Sequence, residues 1–577
     1  MDCVHYFLKH QEAHLHYVPI RIEFPVKASS TDVRLSAWRP GRYELGNFAK
    51  NVRDFRAFDE NGNALAFTKT DKQTWKVETN ASNKLVVEYS YFANELNAGS
   101  TFVDDTQLYV NPVNCLMYTD ETAQLTVRLH LAVPSDWKIA AGFTSDNGVY
   151  QLAHFDELAD SPFICSPHLS SKTYSVEEHT FHIWFNQLQS IPWEKIVSDF
   201  QKFTIEQVAD FGHFPVKEFH FLIQGLAIPA YHGVEHLTST VITLGPSYAV
   251  FKELYTELLG VSSHELYHVW NVKSIRPKEL FPYDFKGENY SRMGYLYEGV
   301  TTYMGDLYLL KSGVFTLEMY LKELAEQFQK HTDNPGRMNY SVGASSFDTW
   351  LDGYVLGAPG RKVSIYTEGC LLAFIADFMI RKGSQNQFGL EHVLKDLYHQ
   401  FARNGKGVSE SDYKTLLEKY SSVSFTTYFE DYIHGTNSYF PLLNESLNYF
   451  GLSHQAKVNP SYTESNWGIK TQAKNGNALV MAVYPNSPAD LAGISIGDEI
   501  MSVNSTKINT DLDRWLAYFG QKKNEITLSR SGRMLQIEVQ ENGEQFYPIH
   551  FIHVKEILNE NEKTALRAWG RKGTVKM

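Results

Sequence analysis

Ser262-Ser-His-Glu-Leu-Tyr-His268 is the stretch of this sequence that decides the fold around it. It contains the pattern His-Glu-x-x-His, and four residues along an α-helix advance by about 400°, so His264 and His268 lie one turn apart on the same face. Two imidazoles in this arrangement can bind one metal ion. Glu265 follows the first histidine directly, so its carboxylate would reach a water at the metal rather than the metal itself. Either serine that opens the stretch would cap the start of this helix.

A catalytic zinc site needs a third protein ligand that still leaves one coordination position open. The segment Tyr295–Asp306 has helical periodicity and offers Glu298 as a carboxylate ligand. We therefore predict that Glu298 completes the metal site with the two histidines. Zinc is the favoured ion, although manganese and cobalt also suit two imidazoles and a carboxylate. Asp306, just over two turns beyond Glu298, could hydrogen-bond a ligand histidine and fix its tautomer.

The composition describes a large globular protein. Of the 577 residues, 43% are hydrophobic and 21% are charged, and the formal net charge is -13. This acidic balance, without a basic run, argues against nucleic acid and membrane surfaces as partners. No stretch approaches about 20 apolar residues, and the N-terminus shows no signal peptide. The 4 cysteines are far apart and form no C-x-x-C motif, so we expect a reducing compartment, the cytoplasm.

The residue pattern changes several times along the chain. Residues 1–172 alternate at the strand period between Asn-Gly turns, which predicts an N-terminal all-β domain. Residues 173–455 first mix strands and helices and then become mainly helical around the metal motif. Residues 456–547 return to short strands, and residues 548–577 form a charged, partly helical tail. The predicted fold class is therefore multidomain α+β.

With these motifs in place, the sequence resembles a known family, the glycyl aminopeptidases, which are gluzincin metallopeptidases of peptidase family M61. The run His264-Glu-Leu-Tyr-His-Val-Trp-Asn-Val-Lys-Ser-Ile-Arg-Pro277 follows the family pattern H-E-x-x-H-x-W-N-V-K-x-I-R-P. Glu298–Asp306 is similar to the stretch E-G-x-T-x-Y-x-x-D, which carries the third zinc ligand. Ala37–Tyr43 and Gly233–His236 match the patterns W-x-P-G-x-Y and G-x-E-H. The resemblance covers nearly the whole chain and implies a thermolysin-like, mainly helical catalytic domain behind the β-domain.

The resemblance also implies roles for residues outside the metal motif. Glu235 corresponds to the glutamate that binds the free α-amine of the substrate, and its strand would offer backbone groups of Gly233 and Val234 to the peptide. Tyr366 resembles the tyrosine that stabilises the oxyanion, although Glu368 stands where many members have a lysine. Together with Glu265 as general base, these residues describe an aminopeptidase with a preference for N-terminal glycine or alanine.

The C-terminal part of the chain resembles a PDZ domain. Ser487–Asn504 carries the pattern S-P-A-x-x-A-G-x-x-x-G-D-x-I-x-x-V-N, and Trp467, Gly468 and Ile469 precede it. Gly468 and Ile469 would form a backbone nest that captures a peptide C-terminus in the PDZ groove. The alternative is a PDZ domain that only braces the catalytic domain. The chain's own last residues, Val575–Met577, could also occupy such a groove.

The sequence is compatible with three functions. The leading one is a zinc aminopeptidase that acts on peptides with a free N-terminus. The second is a zinc endopeptidase with the same metal site and a structural Glu235, which would also cleave N-acetylated peptides. The third is a catalytically silent PDZ scaffold protein. The intact ligand set and the presence of Glu265 argue against this third function.

Overall fold

The computed structural model describes residues 2–80, 82–146, 148–355 and 357–570. It confirms the predicted multidomain α+β fold, in which a β-rich N-terminal part precedes a mainly helical part and a C-terminal module of short strands. The α-helices are Pro112–Cys115, Phe155–Ala159, Trp193–Phe211, Tyr255–Tyr267, Thr301–Lys311, Leu317–Asp333, Val342–Phe347, Thr349–Asp352, Ile365–Gly383, Leu390–Gln400, Glu410–Ser421, Phe440–Tyr449, Pro488–Leu491, Leu512–Phe519 and Glu560–Gly570. π-Helical turns cover Tyr295–Val300, Tyr428–Ile433 and Thr463–Trp467.

Three sheets build the N-terminal part. Along the strand Tyr17–Pro25 every second side chain is buried, the pattern expected of a strand with one face on a core. The seven-stranded sheet has the order Ser145–Asp146, Val149–Leu152, Thr126–Ala132, Cys3–Lys9, Tyr17–Pro25, Lys84–Phe92 and Val52–Phe58. The other two sheets are Lys138–Ala141, Phe163–Ser166, Gln107–Val110 and Phe102–Asp104, and Ser30–Arg34, Thr74–Glu78 and Phe67–Lys69.

A five-stranded sheet lies between this part and the helices. Its order is Ser170–Val176, His179–Asn186, Glu218–Gly225, Ser239–Gly245 and Ala230–Glu235. The central strand Glu218–Gly225 is buried on both faces, as expected where helices cover one face and another domain covers the other. Ala230–Glu235 is an edge strand that pairs antiparallel with Ser239–Gly245. Its outer edge is unpaired by any described strand.

The helix that carries the His-Glu-x-x-His motif, Tyr255–Tyr267, packs closely against the helix Thr301–Lys311. A Cβ atom on Gly305 would lie 3.0 Å from the Cα of His264, so glycine permits this approach of the two backbones. The serines of the motif do not cap the helix as predicted, because the helix begins at Tyr255 and both serines are buried in its interior. The start was mispredicted because apolar residues upstream continue the same helix.

A loop of the N-terminal part reaches into the mainly helical part. Trp38 and Tyr43 are buried in an aromatic cluster with Tyr297 and Trp350. The indole of Trp38 also donates a hydrogen bond of 2.7 Å to the carbonyl oxygen of Asp284. This loop, residues 37–43, therefore lies beside the π-helical turn that carries Glu298.

The PDZ-like module lies between two strands that pair with each other. Leu452–Lys457 and Ile549–Val554 form a two-stranded antiparallel sheet in which Lys457 is opposite Ile549. Between them a sheet contains Ile469–Lys474, Asn477–Val483, Glu499–Val503, Lys523–Arg530 and Arg533–Gln540, with Thr506–Lys507 paired to Glu499–Val503. Lys470 of the module forms a 2.7 Å ion pair with Asp333, at the end of the helix Leu317–Asp333.

The last helix described, Glu560–Gly570, packs against the mainly helical part. Its Trp569 is fully buried and donates a 2.8 Å hydrogen bond to the hydroxyl of Tyr303. The predicted docking of Val575–Met577 lies outside the described residues. Across the described ranges, every helix is too short or too polar to cross a bilayer.

Candidate metal centre and active site

The three predicted ligand side chains converge on one point. The Nε2 atoms of His264 and His268 are 3.0 Å apart, and Oε2 of Glu298 lies 3.8 Å and 3.4 Å from them, respectively. Two ligand atoms on a tetrahedral zinc ion, each about 2.0–2.1 Å from it, are about 3.3 Å apart. The observed separations lie around this value, so the three side chains fit a single zinc ion.

Hydrogen bonding prepares His268 for a metal. Its Nδ1 atom is 2.7 Å from the carbonyl oxygen of Asn271, which can only accept, so Nδ1 carries the proton. In the neutral ring this leaves the lone pair on Nε2, which faces the other two ligand atoms. The side chain of Asn271 in turn donates to the carbonyl oxygen of Leu296 and to the hydroxyl of Thr301. Asn271 therefore links the two ligand-bearing segments, a role that the sequence analysis missed although the residue stands in the quoted motif.

Glu298 owes its position to a local irregularity. It lies in the π-helical turn Tyr295–Val300, and such turns occur frequently at functional sites. The next residue, Gly299, packs against Gly369, since a Cβ on Gly299 would lie 2.2 Å from the Cα of Gly369. This glycine contact brings the helix Ile365–Gly383, and with it Tyr366, close to the metal ligands.

The charges of the cluster favour a cation at its centre. Burial would lower the pKa of the His268 imidazole, but the adjacent Glu298 carboxylate raises this pKa to about 10. Burial would raise the pKa of Glu298, but His268 and His264 hold it below its ordinary value. Both shifts have one physical cause, the attraction between a buried carboxylate and positive charge among the imidazoles.

Glu265 lies between the metal ligands and the edge strand. A Cβ on Gly233 would be 2.1 Å from Oε1 of Glu265, so only glycine at position 233 leaves room for this carboxylate. Oε2 of Glu265 is buried without a hydrogen-bond partner, and burial raises the pKa of the carboxyl well above its ordinary range. The carboxylate is therefore free to exchange a proton with a molecule bound beside it.

Glu235 is a second buried carboxylate without a partner. Its side chain is 3% exposed, and its Oε1 atom makes no hydrogen bond within the described structure. One of its oxygens, one of Glu265 and a ring nitrogen of His268 all lie within 4.8 Å of one another. A Cβ on Gly41, which has a φ of +81°, would lie 2.6 Å from Oε2 of Glu235. The loop of residues 37–43 thus covers Glu235 from the N-terminal side.

Gly233, Val234 and Glu235 occupy the end of the edge strand Ala230–Glu235. Gly233 and Glu235 face the metal ligands, whereas the side chain of Val234 is fully buried in an apolar cluster with residues of the N-terminal part. The carbonyl oxygen of Val234 accepts a 3.0 Å hydrogen bond from the Thr240 hydroxyl. The structure therefore brings these three predicted residues to one wall of the site.

Tyr366 lines the same cavity, at the start of the helix Ile365–Gly383. Burial, together with the negative charge of Glu298, raises the pKa of its phenol well above the ordinary value. Glu368 is buried nearby and contacts His331 at 2.9 Å and the hydroxyl of Tyr439. These partners account for a carboxylate at the position that the family pattern gives to lysine.

Asp306 is not brought to the histidines. No hydrogen bond or ion pair joins it to His264 or His268 in the described structure. Its Oδ1 atom lies beside Gly260 instead, at 3.9 Å from the position that a Cβ atom on this glycine would take. Burial and the charge of Glu323 raise the pKa of its carboxyl to about 7. The carbonyl of Asn271, rather than Asp306, orients a ligand histidine.

A single cavity of about 770 Å³ contains the predicted ligands, Glu235, Glu265 and Tyr366. Its outer part has an acidic wall, which we define as Glu253, Glu257, Asp306, Glu323 and Glu326; the lysines there are Lys322 and Lys330. The cavity therefore offers a deep metal centre and a negatively charged approach to it.

The predicted PDZ groove residues have a different environment. Trp467 and Ile469 are fully buried in the core of the module. The N–H of Gly468 donates to the carbonyl of Thr463, and its own carbonyl accepts from the N–H of Tyr484. Gly468 thus has no free backbone group for a peptide carboxylate. A groove of about 190 Å³ lies instead between the strand Ile469–Lys474 and the start of the helix Leu512–Phe519.

Comparisons with known proteins add to this geometry. Residues 5–167 match the Peptidase M61 N-terminal domain, residues 257–372 match the M61 glycyl aminopeptidase family, and residues 479–529 match a PDZ domain. An aminopeptidase N family protein from Idiomarina loihiensis has the same fold, with a TM-score of 0.90 and 24% identity over 99% of this chain and 100% of its own. An M1 zinc metallopeptidase from Deinococcus radiodurans has a TM-score of 0.46 and 15% identity over 76% of this chain and 94% of its own. No curated protein matches the sequence.

Proposed function

We propose that the protein is a metallo-aminopeptidase of the M61 glycyl aminopeptidase family and that it removes N-terminal glycine or alanine from peptides at a zinc site. The matches to both M61 domains and to a PDZ domain support this proposal. The observation that carries the proposal is the unpaired carboxylate of Glu235. It lies beside the convergent ligand atoms of His264, His268 and Glu298. A buried carboxylate of this kind requires a cation, and a peptide N-terminus supplies one.

We assign the zinc ion to His264, His268 and Glu298. Two imidazoles and a carboxylate are a known donor set for catalytic zinc, and the ligand separations fit one ion. A zinc ion in this position would supply Lewis-acid chemistry, polarising a peptide carbonyl and making water more acidic. The cluster leaves the side towards Glu265 and the cavity open to substrate.

The protein's own groups would then carry out the proton transfers. Glu265 takes a proton from the attacking water and passes it to the leaving amine, as general base and then general acid. Tyr366 donates its hydroxyl to the developing oxyanion, and its raised pKa keeps that proton in place at neutral pH. Glu235 holds the α-ammonium group and so sets which peptide bond reaches Glu265.

The edge strand would align the substrate. A peptide that runs along Ala230–Glu235 with its N-terminus at Glu235 passes Gly233 beside Glu265 and then reaches Tyr231. The first substrate residue therefore lies between Glu235 and Gly233. The close approach of Gly41 to Glu235 limits the room there, which supports a preference for glycine or alanine.

Two further proposals concern partners and location. A peptide C-terminus could add to the strand Ile469–Lys474 in the groove beside the helix Leu512–Phe519, by β-strand addition. The 4 cysteines are all unpaired, which supports the proposed reducing location in the cytoplasm.

The decisive experiment combines metal analysis with a substrate panel. We expect about one zinc per chain, hydrolysis of glycyl and alanyl amides, and loss of this activity in chelator. N-acetylated peptides of the same sequence should remain intact, whereas an endopeptidase would cleave them. Purified protein that never takes up a divalent ion would contradict the proposal and favour the silent PDZ scaffold.

A further inference from the structure

A second cavity, of about 430 Å³, lies in the N-terminal part of the protein. It is lined by Arg39, Arg42, Lys50, Ser100, Thr101 and Asn114, among others, and shares none of the predicted site residues. Its volume is in the range of small-molecule pockets. The two acidic side chains at its rim already have partners, since Glu44 pairs with Arg42 and Glu95 accepts from Asn97.

Arg39 is the unusual residue of this cavity. Its side chain is 5% exposed, and its one hydrogen bond is a long contact of 3.4 Å from Nη1 to the carbonyl oxygen of Pro40. No carboxylate of the described residues forms an ion pair with it. Arg381, which is equally buried, has two such partners, at 2.9 Å from Asp377 and 3.0 Å from Glu391.

We propose that Arg39 is the centre of an anion-binding pocket that takes a carboxylate or phosphate group. A buried charge without a partner is costly, and a ligand that supplies the opposite charge removes that cost. The planar guanidinium matches both kinds of oxyanion through paired N–H donors. The exposed Lys50 adds positive charge at the mouth of the cavity, where Arg42 is already paired with Glu44.

The pocket is coupled to the metal cavity through a short loop. Gly41, two residues after Arg39, packs against Glu235. Burial lowers the pKa of the Arg39 guanidinium, and the nearby charge of Glu235 partly opposes that lowering. The positive charge of Arg39 thus competes with a substrate ammonium for Glu235. A bound anion would neutralise Arg39 and strengthen the hold of Glu235 on the substrate, an effect that rests on the proposed function.

The first test is thermal unfolding of the zinc-loaded protein in a zwitterionic buffer, with sodium acetate or sodium phosphate added at equal ionic strength. We expect at least one anion to raise the Tm of the wild type by about 2 °C near one hundred times its dissociation constant. R39M should have a higher Tm than the wild type without added anion, because it removes an unpaired buried charge. It should also lose the anion-dependent rise.

The matched control is K50Q, which loses the same charge from an exposed position and should keep most of the response. An anion bound at the metal would stabilise wild type and R39M alike, so that result would overturn the proposal. Destabilisation of R39M in anion-free buffer would overturn it as well, since it would show a purely structural arginine. A rise in Tm with acetate but not with phosphate would identify a carboxylate ligand, and a rise with phosphate alone would identify a phosphate ligand.

The second test is kinetic. The responding anion should lower the KM for a glycyl amide by about threefold in the wild type, the effect of one partly screened charge, and leave the KM of R39M unchanged. A Tm response without a KM response would support the pocket but overturn its coupling to Glu235. A protein without aminopeptidase activity would refute the proposed function, while the Tm comparison would still decide the anion site.

Discussion

Replacing Glu235 by glutamine tests the amine-binding role most directly. The substitution keeps the shape of the side chain and removes its negative charge, so the fold and the metal ligands should be preserved. Because Oε1 has no other partner and the side chain is 3% exposed, the charge lost is the one that would pair with the substrate. We therefore expect E235Q to bind zinc normally and to hydrolyse glycyl amide poorly.

The expected size follows from the burial of the pair. Removing one partner of a buried ion pair costs about 3–5 kcal/mol, and we take about 3–4 kcal/mol because the cavity is open to water. Because each 1.4 kcal/mol corresponds to a tenfold change, kcat/KM should fall by about 10²–10³-fold. Both kcat and KM should change, since the ammonium contact also positions the scissile bond.

Steady-state kinetics on glycyl amide, with zinc content measured on the same samples, provides the assay. E326Q is the matched control, because Glu326 is an exposed carboxylate of the same cavity, and its kcat/KM should stay within about twofold of the wild type. Wild-type kcat/KM in E235Q at full zinc occupancy would refute the assignment of Glu235 to the substrate amine.

The remaining predictions concern the metal, the base, the cavity wall and the C-terminal helix. Glu298→Ala should abolish zinc uptake and the zinc-dependent rise in Tm; full zinc content would exclude Glu298 as a ligand. Gly233→Ala should lower kcat by about 10²–10³-fold at normal zinc content, because its methyl group displaces the carboxylate of Glu265, and an unchanged kcat would contradict that contact. Glu323→Gln removes one negative charge from the acidic wall, so it should raise the KM for Gly-Lys amide by about threefold and leave the KM for Gly-Gln amide unchanged. Equal effects on both substrates would show that the acidic wall does not recognise the lysine side chain. Trp569→Ala should lower the free energy of unfolding by about 3–5 kcal/mol in guanidinium titration, and a loss below about 1 kcal/mol would show that the last helix is dispensable.

The sequence predicted the fold class because it rests on local patterns, and local patterns also singled out the candidate site residues. The spacing of His264 and His268 requires one helical face, and alternation identified the β-rich N-terminal part. The structure places Glu298 beside the two histidines, as that spacing suggested. The π-helical turn that positions Glu298 leaves no sequence pattern of its own.

Other features depend on contacts between distant segments, and sequence reasoning missed them. Asn271 orients His268 through its backbone carbonyl, a group that every residue possesses. Asp306 has suitable helical spacing from Glu298, but in the described structure it forms no hydrogen bond or ion pair with the histidines. The unpaired Arg39 is recognisable only once the fold shows that no carboxylate of the described residues forms an ion pair with it.

The pairing of Leu452–Lys457 with Ile549–Val554 makes the PDZ module an insertion between two neighbouring strands. Since Lys457 and Ile549 face each other, the polypeptide leaves for the PDZ module and comes back at neighbouring positions. A short hairpin turn could join these two residues and bypass the whole module while keeping the final helix with Trp569. Such a shortened protein would separate the proposed catalysis from the proposed peptide binding in one step, which truncation from the C-terminus cannot do.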